Sequence, residues 1–189
     1  MKKHFLFWTL LLSVFTGFAQ VWKSDPAHSK LSFSTVHMGI SDVSGRFNKF
    51  EATINATKKD FSDASVELKV DVSSINTDVE QRDNHLKSPD FFDVAKFPEM
   101  SFKSTGITRI EGNKYQLTGD LTLHGVTRPV SMVMEYRGTV QNPQSKKDIA
   151  GFQVTGTIQR SDFGIGNKFP SAMISEAVQI RADGEFSQP

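Results

Sequence analysis

Alternation of apolar and polar residues with a period of two runs through nearly the whole chain, and it constrains the fold more than any other feature. The stretch from Ser65 to Ile75 is the clearest case, with Val66, Leu68, Val70 and Val72 on one face and Glu67, Lys69 and Asp71 on the other. The same pattern places Leu31, Phe33 and Thr35 on one strand, and Phe50, Ala52 and Ile54 on another. Tyr115 to Leu123, Val130 to Tyr136, Phe152 to Ile158 and Val178 to Phe186 repeat it. A change of parity between Phe47 and Phe50 predicts a bulge that bends its strand. Turns are short at Glu111-Gly112-Asn113-Lys114 and His124-Gly125-Val126-Thr127, and one long polar connection runs from Gln141 to Asp148. The count is about eight antiparallel strands. An open sheet of that size leaves two edges and an uncovered apolar face, and the chain has no long amphipathic helix to cover it. Closing the sheet on itself removes both problems, so the fold class is all-β and the architecture an eight-stranded antiparallel β-barrel. Periodicity alone is also met by a two-sheet sandwich. Gly119, Gly156 and Gly184 fall on the inward parity, where a strand bends sharply or a bulky neighbour needs room.

One segment departs from the alternation. Arg82 to Pro98 reads RDNHLKSPDFFDVAKFP, with Asp78, Arg82, His85 and Leu86 near helical spacing and Ser88-Pro89-Asp90 as a turn. This predicts a short helical crossover across one end of the barrel. Its adjacent Phe91 and Phe92 point to different sides, so at least one faces whatever the barrel encloses. The segment reads as a lid or plug.

The N-terminus is a different kind of signal. Lys2, Lys3 and His4 precede an apolar run from Phe5 to Phe15, and Gly17-Phe18-Ala19 offers small residues at a signal-peptidase site. Residues 1–19 are expected to be a signal peptide cleaved after Ala19, leaving 20–189 as one domain and placing the mature protein in the periplasm or outside the cell. The apolar run is shorter than the roughly 20 residues of a membrane-spanning helix, so no stable membrane insertion is expected. Cysteine is absent, which removes disulfides, thiolate chemistry and a lipid-modified cysteine anchor. The formal charge of +1 with no basic block gives no electrostatic case for nucleic acid. Sixteen Phe against two Trp and two Tyr point to a dry, aromatic interior.

Eight segments, in order, resemble the YceI-like family: Asp25-Pro26-Ala27-His28-Ser29, His37-Met38-Gly39, Gly45-Arg46-Phe47, Arg82-Asp83-Asn84-His85-Leu86, Asp90-Phe91-Phe92-Asp93, Phe97-Pro98, Gly119 to Thr127, and Arg160-Ser161-Asp162-Phe163-Gly164. The resemblance runs from about Val21 to Phe186. It implies a lipocalin-like barrel, exported to the periplasm, around a long apolar pocket that holds a polyisoprenoid, an isoprenoid quinone or a similar lipid, for carriage, storage or sequestration. It does not transfer the identity of the ligand, because fold and ligand vary separately.

On that reading the candidate lining is Phe33, Phe47, Leu68, Val70, Phe91, Phe92, Phe102, Leu117, Leu121, Met132, Met134, Phe152, Val154, Phe163 and Ile180. The alternative for each is ordinary core. Fifteen buried methylenes are worth about 12 kcal/mol, which leaves micromolar binding or better after an association cost of at least ~4 kcal/mol. Arg82, His85, His124, Arg128 and Arg160 flank strand ends or the lid, where a polar head group would emerge; capping and ion pairing of the crossover are the competing roles. An enzyme acting on a lipid-like substrate is the alternative function, with Asp83 and His85, or Ser161 and Asp162, as the compact acid–base candidates. No nucleophile elbow, phosphate loop or dinucleotide fingerprint surrounds them, so no catalytic role and no cofactor is expected. His28, His37, His85 and His124 are scattered rather than set at ligand spacing, so no metal site is expected either. A homodimer through an exposed strand or the rim is compatible with the sequence.

Overall fold

A computed structural model describes residues 19–189. Apart from Ala19, the leader expected over residues 1–19 lies outside the described residues. Eleven strand segments follow one another: β1 (Gln20–Ser24), β2 (Lys30–His37), β3 (Ser41–Phe47), β4 (Phe50–Ala56), β5 (Ser65–Asp71), β6 (Ile75–Asn76), β7 (Glu99–Glu111), β8 (Lys114–Leu123), β9 (Val126–Gln141), β10 (Asp148–Gln159) and β11 (Ile174–Ser187). Among the described residues the one α-helix, α1 (Glu80–Lys87), lies between β6 and β7.

The pairings reduce these eleven segments to eight staves. β1 and β2 both lie along β11, interrupted by the turn at Asp25–Ser29. β3 pairs with β2 and β4 with β1, so β3 and β4 form one strand broken at Asn48-Lys49, where the change of parity predicts a bulge. β5 pairs with β4 and β6 with β3, joined by a single 3-10 turn at Val72–Ser74. β7 to β11 then follow as a meander, and β11 pairs back onto β1 and β2. Every neighbour is antiparallel and the sheet closes on itself through the pairing of β11 with β1 and β2: an eight-stranded barrel, as the sequence leads one to expect, and not the two-sheet sandwich that the same alternation would also fit. Inward residues alternate strictly along β8, where Tyr115, Leu117, Gly119, Leu121 and Leu123 are buried.

The two ends are built differently. At one end Phe61, held at a positive φ of 58° in the loop after β4, turns into the barrel. It packs edge-on against Trp22 and Phe152 at 5.4 and 4.8 Å and against Tyr136 at 4.9 Å. The Tyr115 hydroxyl donates to the Asp60 carbonyl at 2.6 Å and fixes that loop. This end is stoppered.

At the other end lie the β2–β3 hairpin tip, α1 with the chain up to Pro98, the β8–β9 turn and the connection 160–173. α1 buries none of its own residues and has no side-chain cap at Val79. Thr77, itself buried, holds it instead. The Thr77 amide and hydroxyl donate to Asp83 Oδ1 at 2.8 and 2.5 Å, and Arg82 Nε and Nη2 donate to Thr77 Oγ1 and the Thr77 carbonyl at 2.8 and 2.9 Å. A helix this short is marginal alone, so these tertiary bonds set its position. The crossover lies across the barrel end as the sequence predicts.

Candidate functional site

Closed barrels of eight strands are just wide enough to be filled by side chains or to hold one small ligand. Here a cavity of about 210 Å³ remains. Several inward apolar residues are only half-buried because they face it: Phe33 on β2, Phe50 and Ala52 on β4, Leu68 on β5, Val154 on β10, and Val178, Ile180 and Ala182 on β11. Polar side chains on its wall are few, namely Ser29, Ser32, Thr35, Arg160 and Asp183.

Inward glycines keep the space open. A Cβ on Gly156 would lie 2.0 Å from Met132 Sδ, and one on Gly119 would meet the Phe102 ring and the Lys103 carbonyl at 2.5 Å. The bulky side chain of a neighbouring strand thus lies flat against the wall in the place a Cβ would occupy. Phe186 and Ser29 use Gly184 in the same way.

The lid closes over the open end with aromatic rings. Phe91 stacks on Phe169 of the facing connection, centroids 4.9 Å apart and planes 13° from parallel. Phe92 meets Phe47 edge-on at 6.0 Å, and Phe47 meets Phe33 at 5.7 Å. The adjacent phenylalanines therefore turn to different neighbours, and both reach the cavity, as does Leu86 from α1. Outside the rings, Asp90 accepts from Lys168 at 2.5 Å, a latch between lid and connection. His85 stands edge-on to Phe91 and Phe169 and 3.6 Å from Asp90. The bond from Lys168 holds the Asp90 carboxyl below its ordinary pKa.

Thirteen of the fifteen lining candidates are on the cavity wall. Val70 and Phe163 are not: both are fully buried in the packed core. Val70 has the right parity on β5 but sits among side chains rather than against the void, and Phe163 is tucked beneath the 3-10 turn Arg160–Phe163. The wall also contains residues absent from the candidate set. Ile54, Val66, Met100, Leu123, Ile158 and Phe186 share the inward parity of strands already identified, so the alternation itself was their signal. Leu86 on α1 and Ile165 in the connection after β10 reach the wall only through the tertiary fold, and Ile174 does so from the first position of β11.

The five polar candidates have defined partners. Arg82 is bound to Thr77, as above. His124 Nδ1 lies 3.0 Å from the Phe163 carbonyl, with its ring against Phe97. Arg128 is exposed and donates to the Asp162 carbonyl at 3.3 Å. Arg160 reaches the wall and is buried, yet its donors are in use. It bonds the carbonyls of Ile165, Gly166, Phe169, Ile174 and Ser175 at 2.7–3.2 Å and Glu176 Oε1 at 2.6 Å. It organises the 160–176 connection from inside. His85 is the candidate that stands at the lid itself.

The acid–base pairs are not assembled. Asp83 is engaged by Thr77 while His85 faces Asp90, and Ser161 and Asp162 are exposed on their turn. The four histidines have separate surroundings. His28 Nδ1 is 2.7 Å from Asp25 and 3.9 Å from Glu185 on the outside of the β1–β2 turn, an arrangement that raises the pKa of His28 and lowers that of Asp25 through their shared hydrogen bond.

Comparison with known proteins agrees with this geometry. A model of the YceI-like domain matches residues 22–186. A UPF0312 protein of Staphylococcus aureus is 36% identical over 167 residues, which cover 86% of this chain and 95% of the relative. Among solved structures, Burkholderia cenocepacia BcnA aligns with a TM-score of 0.75 at 26% identity, over 86% of this chain and 98% of its own. A polyisoprenoid binding domain from Saccharophagus degradans, implicated in plant cell wall breakdown, aligns with a TM-score of 0.67 over 90% of this chain and 99% of its own; at 16% identity the likeness is one of fold.

Proposed function

The chain belongs to the YceI-like domain family, and from that premise we propose that it is an exported binding protein that holds a polyisoprenoid, or a related long apolar lipid such as an isoprenoid quinone, inside its barrel. The observation that carries this reading is the cavity itself, about 210 Å³ of space with a hydrocarbon wall. An empty apolar void costs about 24 cal/mol per Å³, or about 5 kcal/mol here, which is as large as the whole stability of a marginal domain. A chain that keeps such a space has a use for it, and filling it with methylenes at about 0.8 kcal/mol each needs no polar contact. The fold neighbour named as a polyisoprenoid binding domain supports the ligand class. The leader-like N-terminus supports export. Engagement of the acid–base candidates elsewhere supports holding the ligand rather than turning it over.

The test is mass spectrometry of the organic extract of the mature protein, expressed with its leader and purified without detergent beside a mock purification. A polyprenyl or quinone species at near-stoichiometric amount is expected. Protein that is empty and also fails to take up added polyprenyl lipid overturns the reading.

A further inference from the structure

A lipid of this kind resides in a bilayer, so a protein that holds it must meet a membrane. We propose that the rim made by the β2–β3 hairpin tip and the connection before β11 is the surface that docks on a lipid bilayer. This rests on the binding reading above.

Four of the nine exposed large apolar side chains among the described residues, the most exposed of all included, gather here. Ile40 is 87% exposed and Met38 53%, and Val36 and Met173 beside them are exposed too. They form one patch, since the Met38 amide donates to the Met173 carbonyl at 2.9 Å and the Ile40 amide to the His37 carbonyl at 3.1 Å. Met38 and Gly39 both take positive φ, 54° and 72°, within the three-residue tip Met38-Gly39-Ile40 that joins the paired His37 and Ser41, so the tip turns tightly and projects with its side chains outward. Between Val36 and Ser41 the one titratable side chain is His37.

Position argues for a membrane. The patch is continuous with the cavity: Thr35 and Ile174, the next residues along the same two strands, line it. Phe61 stoppers the opposite end, so the patch borders the end through which an apolar chain would pass. Size argues the same way. Four partly exposed side chains offer on the order of 400 Å², within the range of functional patches and well short of the ~800 Å² per partner of a stable protein interface. Shallow insertion at the headgroup boundary needs no more than that.

The experiment is flotation with vesicles of phosphatidylethanolamine and phosphatidylglycerol, together with the rate at which a fluorescent polyprenyl lipid moves from those vesicles into the protein. Ile40→Asp and Met38→Ser are compared with wild type and with Val140→Asp, which changes an exposed apolar residue near the stoppered end. Both rim variants are expected to fold as wild type, since the substituted side chains face solvent. Ile40→Asp should lower vesicle binding and transfer rate by on the order of tenfold and leave the final lipid occupancy unchanged, with Val140→Asp at wild-type rate. Transfer at wild-type rate by both rim variants overturns the docking surface and leaves the binding reading intact. A wild-type dimer that Ile40→Asp converts to a monomer reassigns the rim to contact between copies and also overturns it. If no variant, wild type included, takes up lipid at any time, the binding reading fails and the docking proposal with it.

Discussion

Filling the cavity from within separates a functional void from a packed core by the sign of its effect. Ala182 sits on β11 between Val154 and Leu31 on the flanking strands, with its methyl group on the cavity wall. A cavity of about 150 Å³ accommodates a benzene ring, so Ala182→Phe places a ring that fills half or more of the 210 Å³ present. At about 24 cal/mol per Å³ this recovers about 2–3 kcal/mol in lipid-free protein. For a domain of this size 1 kcal/mol moves the melting temperature by about 2–4 °C, so Tm should rise by roughly 5–10 °C. The assay is thermal unfolding of protein refolded without lipid, repeated after incubation with a polyprenyl lipid. Ligand at 100 times its Kd stabilises wild type by about 2.7 kcal/mol, and the variant should lose most of that increment because its own ring occupies the site. If the interior were close-packed at Ala182, the ring would instead cost about 1–3 kcal/mol and Tm would fall. A lower Tm combined with undiminished lipid uptake would refute the placement of the cavity.

Two other outcomes follow from named contacts. Lys168→Met removes the latch to Asp90 and should speed lipid release at neutral pH by roughly two- to fivefold in a stopped-flow displacement assay. Because the folded pKa of Asp90 is depressed, the latch is complete above the ordinary carboxylate range and weakens only as the pH falls through the folded value, so wild-type release should accelerate in acid below about pH 4 and the variant should lack that Asp90-dependent part. Arg160→Lys keeps the charge but cannot serve five carbonyls and Glu176 together; urea unfolding should show a loss of about 3 kcal/mol or more. The affinity of the folded fraction for a head-group-free isoprenoid should stay near wild type.

Much of the barrel was legible because a strand writes its orientation into the sequence with a period of two. The alternation from Val66 to Val72 states which side chains turn inward, and the parity change at Phe47 and Phe50 states where the strand bends. Depth is another matter. Val70 and Leu68 face the same way, yet Leu68 meets the cavity and Val70 is packed under neighbours, a difference set by side chains on other strands. Phe61 was illegible for a related reason, lying in a polar, aperiodic loop whose positive φ alone turns the ring inward. Arg160 shows the limit for polar residues. A lone arginine after a strand reads as a head-group contact, and only the folded 160–176 connection reveals that its donors are spent on backbone carbonyls.

The stopper at Phe61 also gives the barrel a direction. A tube closed at one end is threaded tip-first, so under the proposed function an isoprenoid would enter by its hydrocarbon terminus, with its polar end toward α1 and the Phe91–Phe169 stack. Such a tube acts as a gauge of length. On that proposal each added isoprene unit would strengthen binding until the lumen is occupied, and units beyond that would trail outside the entrance, where they would contribute little. Selectivity among long chains then falls to whatever surrounds the trailing portion, and the walls of the barrel take no part in it.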